Sequence, residues 1–288
     1  MKPCKHWLLQ TSHRYAIGRT TMALLIGMQL SIQYNSRVLL VHDEHSSQRF
    51  QTVFTRSNKK GTEPIEDQLM GSYHHAVLEG WVAIERLARS QQLTPELFVS
   101  ATTPMIPQLD RLEIPDQGMH GIMDINQDMP MEYWEKITNS AASAYDIILW
   151  DVDLQHEVLM GINHLGRLHL MPQEMNVLDY IQSRLIDGER TMNQIGIFNM
   201  HDERLSMNIQ HIKRKCKGAK LYALAYDSGI RQSMAEGTLI PYYLKEHHRK
   251  ERKEQVPLVE GIAVLAKGIM DMSHAIGRSG WEGDKRWG

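Results

Sequence analysis

The tightest constraint on this chain lies in its first 43 residues. "HWLLQT" (6–11) is a short apolar run that suits a buried strand. From Thr20 to Tyr34 the apolar residues Met22, Leu24, Leu25, Met28, Leu30 and Ile32 leave one polar stripe, which predicts a helix. "RVLLVHD" (37–43) follows after a short turn, and its unbroken VLLV fits a strand covered on both faces. Strand, loop, helix and strand within this length make one βαβ unit, which needs a parallel sheet.

The same alternation continues. Strands are expected at "ELFVSAT" (96–102), "YDIILWD" (145–151), "RLHLMP", "QIGIFNM" and "KLYALAYD". Helices are expected at "QLMGSYHHAVLEGWVAIERLARS", "MEYWEKITNSAAS", "EMNVLDYIQSRLI", "LSMNIQHIKRKC", "GIRQSMAEG" and "PLVEGIAVLAKGIMDMSHAI". Residues 103–130 carry Pro104, Pro107, Pro115 and Pro130 and read as mostly loop. The fold class is therefore α/β, a mostly parallel twisted sheet of about seven strands with helices on both faces. No internal repeat or linker divides the chain, so residues 1–288 form one expected domain, with an exposed loop or arm at 43–68 and a polar tail at 276–288.

Composition narrows the function classes. The formal net charge of −2 supplies no strong global field toward nucleic acid or membrane. Two cysteines, Cys4 and Cys216, are too few for a disulfide framework or a cysteine zinc site, and a reducing cytoplasm is the expectation. The longest apolar stretch, "MALLIGMQLSI", falls short of the roughly 18–20 residues that span a bilayer, and the N-terminus does not read as a secretion signal. The 18 methionines read as adaptable core filler. "HDEH" (42–45) has metal-ligating residue types but sits at a strand end, where a structural role is the plainer reading.

The loop "HRYAIGRTT" (13–21) lies between the first strand and the first helix. A phosphate-binding loop uses backbone N–H groups, glycine for close approach, a helix N-terminus, a lysine for the phosphates and a Ser/Thr hydroxyl for magnesium. Setting G-x-x-x-x-G-K-[ST] on this chain puts the first glycine on His13, the second on Gly18, the lysine on Arg19 and the hydroxyl on Thr20. One glycine is lost and the lysine is replaced by a larger, planar cation. Taken alone, the loop is read more simply as a strand-to-helix turn, with Gly18 there for backbone reasons and Thr20 as N-cap.

The surrounding segments change that balance. "HRYAIGRTTMALLIGMQLSIQYNSRVLLVHDEH" resembles the deviant Walker-A ATPases of the ParA/MinD type, which carry K-G-G-V-G-K-T-T, an Ala/Leu-rich helix and a strand ending in D-x-D. Arg14 falls at the signature-lysine position, followed in register by Tyr15, Ala16, Ile17, Gly18, Arg19, Thr20 and Thr21. "AYDIILWDVD" resembles the family's Walker-B strand and places Asp151 as its acid. "IGIFNMHDERLS" places Asn199 where the family contacts the adenine base, and "LYALAYDSGIRQSMAEGTLI" is similar to the segment after it. The motifs occur in the family's order over residues 5–275.

The resemblance implies a set of roles. Residues Tyr15 to Thr21 would surround the phosphates of ATP, with Arg14 and Arg19 as charges. Thr20 and Asp151 would hold magnesium. Asp43 or Glu44 would position water, because the family's two acids align with His42 and Glu44, with Asp43 between them. The departures fall on the chemistry: Tyr15 and Ala16 add Cβ atoms where glycines lie, and both lysines are arginines. The implied function is a degenerate organiser of a cellular assembly, as in pilus or secretion accessory proteins of the TadZ/CpaE kind or partitioning proteins. It would act through homodimerisation and a protein partner, with ATP and Mg binding or hydrolysis weakened or lost. Nucleotide would be its only small-molecule substrate, and its place the cytoplasm or the inner membrane surface. An active ATPase using arginines and a nucleotide-independent scaffold are the alternatives. The basic tract Lys245–Lys253 is the segment that could meet DNA or a membrane surface, against the plainer reading of a solvated face.

Overall fold

A computed structural model describes residues 5–11, 18–43, 80–114, 130–152, 159, 162, 164–174, 176–187, 193–249 and 256–279. His13 to Ile17, Glu44 and Lys250 to Lys253 lie outside them, so the expectations placed there are carried by sequence alone.

Eight strands form one sheet: β1 (His6–Thr11), β2 (Val38–Asp43), β3 (Thr103–Ile106), β4 (Leu109–Ile114), β5 (Ile147–Asp151), β6 (Gly166–Met171), β7 (Gln194–His201) and β8 (Leu221–Ala225). Their order is β3-β4-β2-β5-β1-β6-β7-β8. Among the described strands, only β3, at the edge, is antiparallel to its neighbour. The chain leaves β1 toward β2 on one side and later fills β6, β7 and β8 on the other. In open parallel sheets such a reversal of direction opens a crevice beyond the carboxyl ends of the strands, where ligands bind.

Alternate residues of the strands point to opposite faces, and both faces are buried. Trp7, Leu9, Leu40, Leu149, Leu168 and Ile197 pack with α1 (Arg19–Tyr34) and with the C-terminal helix Pro257–Ser279. Leu8, Leu39, Val41, Ile148 and Trp150 face the other way, against a helical stretch over 80–89 and the helix Met131–Ala144. Near β7 that second face is covered by the segment Val177–Ile186 and by the helix Ile209–Lys215, through Phe198, Ile181 and Ile212. This is why VLLV carries no polar alternation. Inside the sandwich, α1 buries Gln29, whose side-chain oxygen accepts from the Tyr243 hydroxyl. Asn35 ends α1 in the left-handed conformation that asparagine tolerates.

Several expectations are corrected. The segment read as a strand at 96–102 is a helix, Pro95–Ser100. Thr94 caps it by accepting from the Leu97 N–H at 3.3 Å, proline opens it and Glu96 lies in its first turn. That start signal outweighs the apolar run. The strand expected there comes later, as the β3–β4 hairpin in the stretch read as loop, turned by Gln108 at φ 67°. Pro104 fits because β3 is an edge strand. With that hairpin the described residues make a sheet of eight strands, in keeping with the mostly parallel sheet of about seven that the sequence implies. "EMNVLDYIQSRLI" holds a short α-helix, Val177–Tyr180, that widens into a π-helix over Ile181–Ile186. The helix expected from Leu205 starts at Ile209, where Asn208 caps it.

Asp43 closes β2, as the strand read over 37–43 implies, and the last helix runs to Ser279, past the expected start of the tail. The described part of the basic tract belongs to a helix, Leu239–Arg249, in which Glu246 is buried and pairs with Arg249 at 3.0 Å. Among the described residues, no helix is long and apolar enough to cross a membrane.

Candidate functional site

Parallel register brings the site together. β2 and β5 are neighbours with His42 opposite Asp151, so Asp43 lies one residue beyond, at the carboxyl end of the same strand pair. β1 flanks β5 on its other side and leads through the loop into α1. Gly18 is the N-cap of that helix, with φ 70° and ψ 33°, and its carbonyl accepts the first helical bond, from Met22 N–H at 2.9 Å. Thr20 therefore lies inside the first turn and is not the N-cap.

Arg19 leaves the helix start toward the two acids. Its Nε donates to Asp151 Oδ1 at 2.5 Å, its Nη2 lies 3.7 Å from Asp43 Oδ2, and its Nη1 donates to the Val152 carbonyl at 3.4 Å. The Asp151 side chain is fully buried and that of Arg19 is 17% exposed, so the pair sits at the floor of the edge. Burial pushes the Asp151 carboxyl above the usual carboxylate range. Arg19 and the Thr20 hydroxyl oppose that rise and Asp43 adds to it. A buried carboxylate needs a partner at this depth, and Arg19 is that partner.

Asn199 reaches the same place from the end of β7. Its Nδ2 lies 3.3 Å from where a Cβ on Gly18 would stand, and its Oδ1 accepts from the Met200 N–H at 3.0 Å. Met200 is held at φ 57° and is exposed, as are Leu205 and Tyr226 on the segments that follow β7 and β8. Next to Asn199, Met200 thus turns an apolar side chain to solvent. Of the residues expected in the site, Gly18, Arg19, Thr20, Asp43, Asp151 and Asn199 are gathered at one sheet edge. Thr21 follows on the same first turn. Arg14, Tyr15, Ala16, Ile17 and Glu44 lie outside the described residues.

Sequence reading missed the support beneath β7. Gln173 donates to the carbonyls of Asp202 and Met207, both at 2.9 Å, and accepts from the Asp202 N–H at 2.9 Å. His201 Nε2 accepts from the Ile209 N–H at 3.0 Å. These bonds fix the loop after Asn199, and only the polar residue after "RLHLMP" hinted at them.

Gly18 gives the first test. A left-handed backbone costs a residue with a side chain about 1–2 kcal/mol, and the added Cβ would press on Asn199. Gly18→Ala is expected to lose about 1–2 kcal/mol in urea unfolding, and Gly18→Asn less, since asparagine visits that region. Equal losses for both would mean that the contact with Asn199, and not the backbone, dominates.

No family model matches the sequence, and no curated protein does. Solved structures do. A ParA family ATPase from Chlorobium tepidum TLS superposes with a TM-score of 0.58 at 16% identity, over 91% of this chain and 98% of that one. A MinC:MinD cell division protein complex from Aquifex aeolicus gives 0.56 at 16% identity, over 92% and 96%. A putative plasmid partition protein from Borrelia burgdorferi B31 bound to AMPPNP gives 0.53 at 11% identity, over 94% and 98%. At these identities the likeness is one of architecture, and it covers nearly the whole of each chain: this protein has the fold of the ParA/MinD P-loop ATPases.

Proposed function

We propose that this protein is a ParA/MinD-like organiser that positions a cellular assembly through dimerisation and a protein partner, with its nucleotide chemistry weakened or lost. The observation that carries the reading is the pairing of Arg19 with Asp151. The edge keeps a glycine-opened helix N-terminus, a hydroxyl, two acids and an asparagine, which is the outline of a nucleotide site. The cation that should reach phosphate is instead committed to the acid. Phosphoryl transfer depends on positioned charge, and here the charges neutralise one another. Binding is less demanding, because the amides at the start of α1 and the positive end of its dipole do not depend on Arg19.

The similar structures support nucleotide binding and a protein partner by analogy. One is bound to a nucleotide analogue, and another is a complex of two different proteins. The partner would belong to a pilus, secretion or partitioning system, and the exposed basic residues at the end of the helix Leu239–Arg249, with the tract that follows, would be its DNA or membrane contact.

Calorimetric titration with ATP and ADP, paired with phosphate release and sedimentation, tests the reading. The expected result is a dimer that binds nucleotide weakly and releases no phosphate above the blank. Micromolar ATP binding with turnover, both abolished by Arg19→Ala, would make it an active ATPase built on arginine. No binding at all, with the dimer intact, would make it a nucleotide-independent scaffold.

A further inference from the structure

The relatives' chemistry implies magnesium on Thr20 and Asp151, and the residues present do not fit it. Magnesium takes oxygen ligands in near-octahedral array at roughly 2.0–2.1 Å. Asp151 Oδ1 already receives Arg19 Nε at 2.5 Å, and Asp43 Oδ2 lies 3.7 Å from the same guanidinium. A divalent ion on either carboxylate would share it with a fixed positive charge. The guanidinium cannot shed that charge, because arginine stays protonated in proteins. Nor is it loosely held: its third contact, to the Val152 carbonyl, anchors it to the backbone beyond β5.

We propose that Arg19 is the resident cation of this site, standing on Asp151 and Asp43 where a divalent metal would otherwise stand, so that ligand binding at this edge does not use magnesium. The inference rests on the nucleotide reading above only for the identity of the ligand; the exclusion of metal stands on the acids and the arginine themselves. A lysine in this position can leave the acids free for metal while reaching phosphate. Arginine's planar fork matches a carboxylate and stays with it.

Manganese is the probe, read by loss of the free-ion signal in electron paramagnetic resonance, on the full chain without nucleotide. The wild type is expected to leave the signal unchanged, and its thermal midpoint should be the same in MgCl2 and in NaCl of equal ionic strength. Arg19→Gln removes the guanidinium from the two acids. It is expected to take up manganese and to gain thermal stability from magnesium, as a native-state ligand requires. Asp151→Asn added to that variant should abolish both gains. Uptake of one manganese per chain by the wild type, removed by Asp151→Asn, would overturn the proposal. If Arg19→Gln does not fold, the wild-type titration still decides. A nucleotide arm separates this failure from that of the reading it deepens. ADP affinity is expected to be equal in EDTA and in magnesium, and a tightening of about tenfold by magnesium would overturn the proposal. Absence of ADP binding would overturn the nucleotide reading and leave the manganese result standing.

Discussion

Lowering the pH from 7 to 5 is expected to remove about 6 kcal/mol of folding stability. Among the described residues, four histidines are buried and held below their ordinary value, and three of them strongly. Burial, reinforced by Lys5, pushes His6 down from 6.5 to about 4. Burial and the nearby Arg111 push His42 down to about 3. Burial and Arg167 push His169 down to about 4. In the unfolded chain each ring takes a proton near 6.5, while in the fold it stays neutral to well below 5. The unfolded state therefore binds more protons throughout this window, and stability falls as pH falls. Each ring contributes about 2 kcal/mol over the 1.5 units between 6.5 and 5.

Asp151 acts in the opposite sense. Its raised carboxyl takes a proton in the fold before it does in the unfolded chain, so it gains stability as pH falls. One carboxyl does not reverse three imidazoles. Small domains hold only about 5–15 kcal/mol in total, so cooperative unfolding near pH 5 is the expected behaviour. Urea unfolding at pH 7, 6 and 5 checks it. His6→Gln and His169→Gln should each reduce the pH slope by about one proton. A stability that stays flat from 7 to 5 would mean that these rings are already accessible to water.

Trp7→Ala is expected to lose about 3–5 kcal/mol. Trp7 is completely buried in the middle of the sheet, and its indole N–H donates to Ser273 Oγ at 3.1 Å, tying β1 to the last helix. Its ring also rests on Gly166, the residue paired with it in β6. A Cβ on Gly166 would stand 2.5 Å from the ring, closer than real Cβ atoms come. Gly166→Ala is therefore expected to cost about 1–3 kcal/mol in the wild type, as overpacking does, and close to nothing in the Trp7→Ala background. A double-mutant cycle reads the coupling. Additive losses would show that the indole lies elsewhere and that β1 and β6 are out of the stated register. That register also sets where the loop after Thr11 emerges, and so where Gly18 begins its helix.

Legibility followed the range of the interactions. VLLV and the periodic helix after Thr20 are local signals, and β2 and α1 lie where those signals put them. The helix at Pro95 has an equally local signal, Thr94 with proline and Glu96 behind it, but the apolar run that follows imitates a strand. Pro104 misled in the other direction: proline excludes a central strand but not an edge one, and being at the edge is a property of the whole sheet. In the site, the acids and the hydroxyl could be named from their motifs. The choice between phosphate and Asp151 as the partner of Arg19 could not. It depends on the pairing of β2 with β5, which places His42 opposite Asp151 and so sets both acids beside the start of α1. The alignment left the acid of β2 between neighbouring positions, and the fold puts Asp43 beside the arginine.

A crystal structure of the full chain grown with ADP is the most direct measurement. The phosphates should lie over the amides at Gly18–Thr20, on the carboxyl side of β1, with Arg19 still joined to Asp151 and no metal between them. Nucleotide bound away from that edge, or Asp151 found remote from the start of α1, would contradict it.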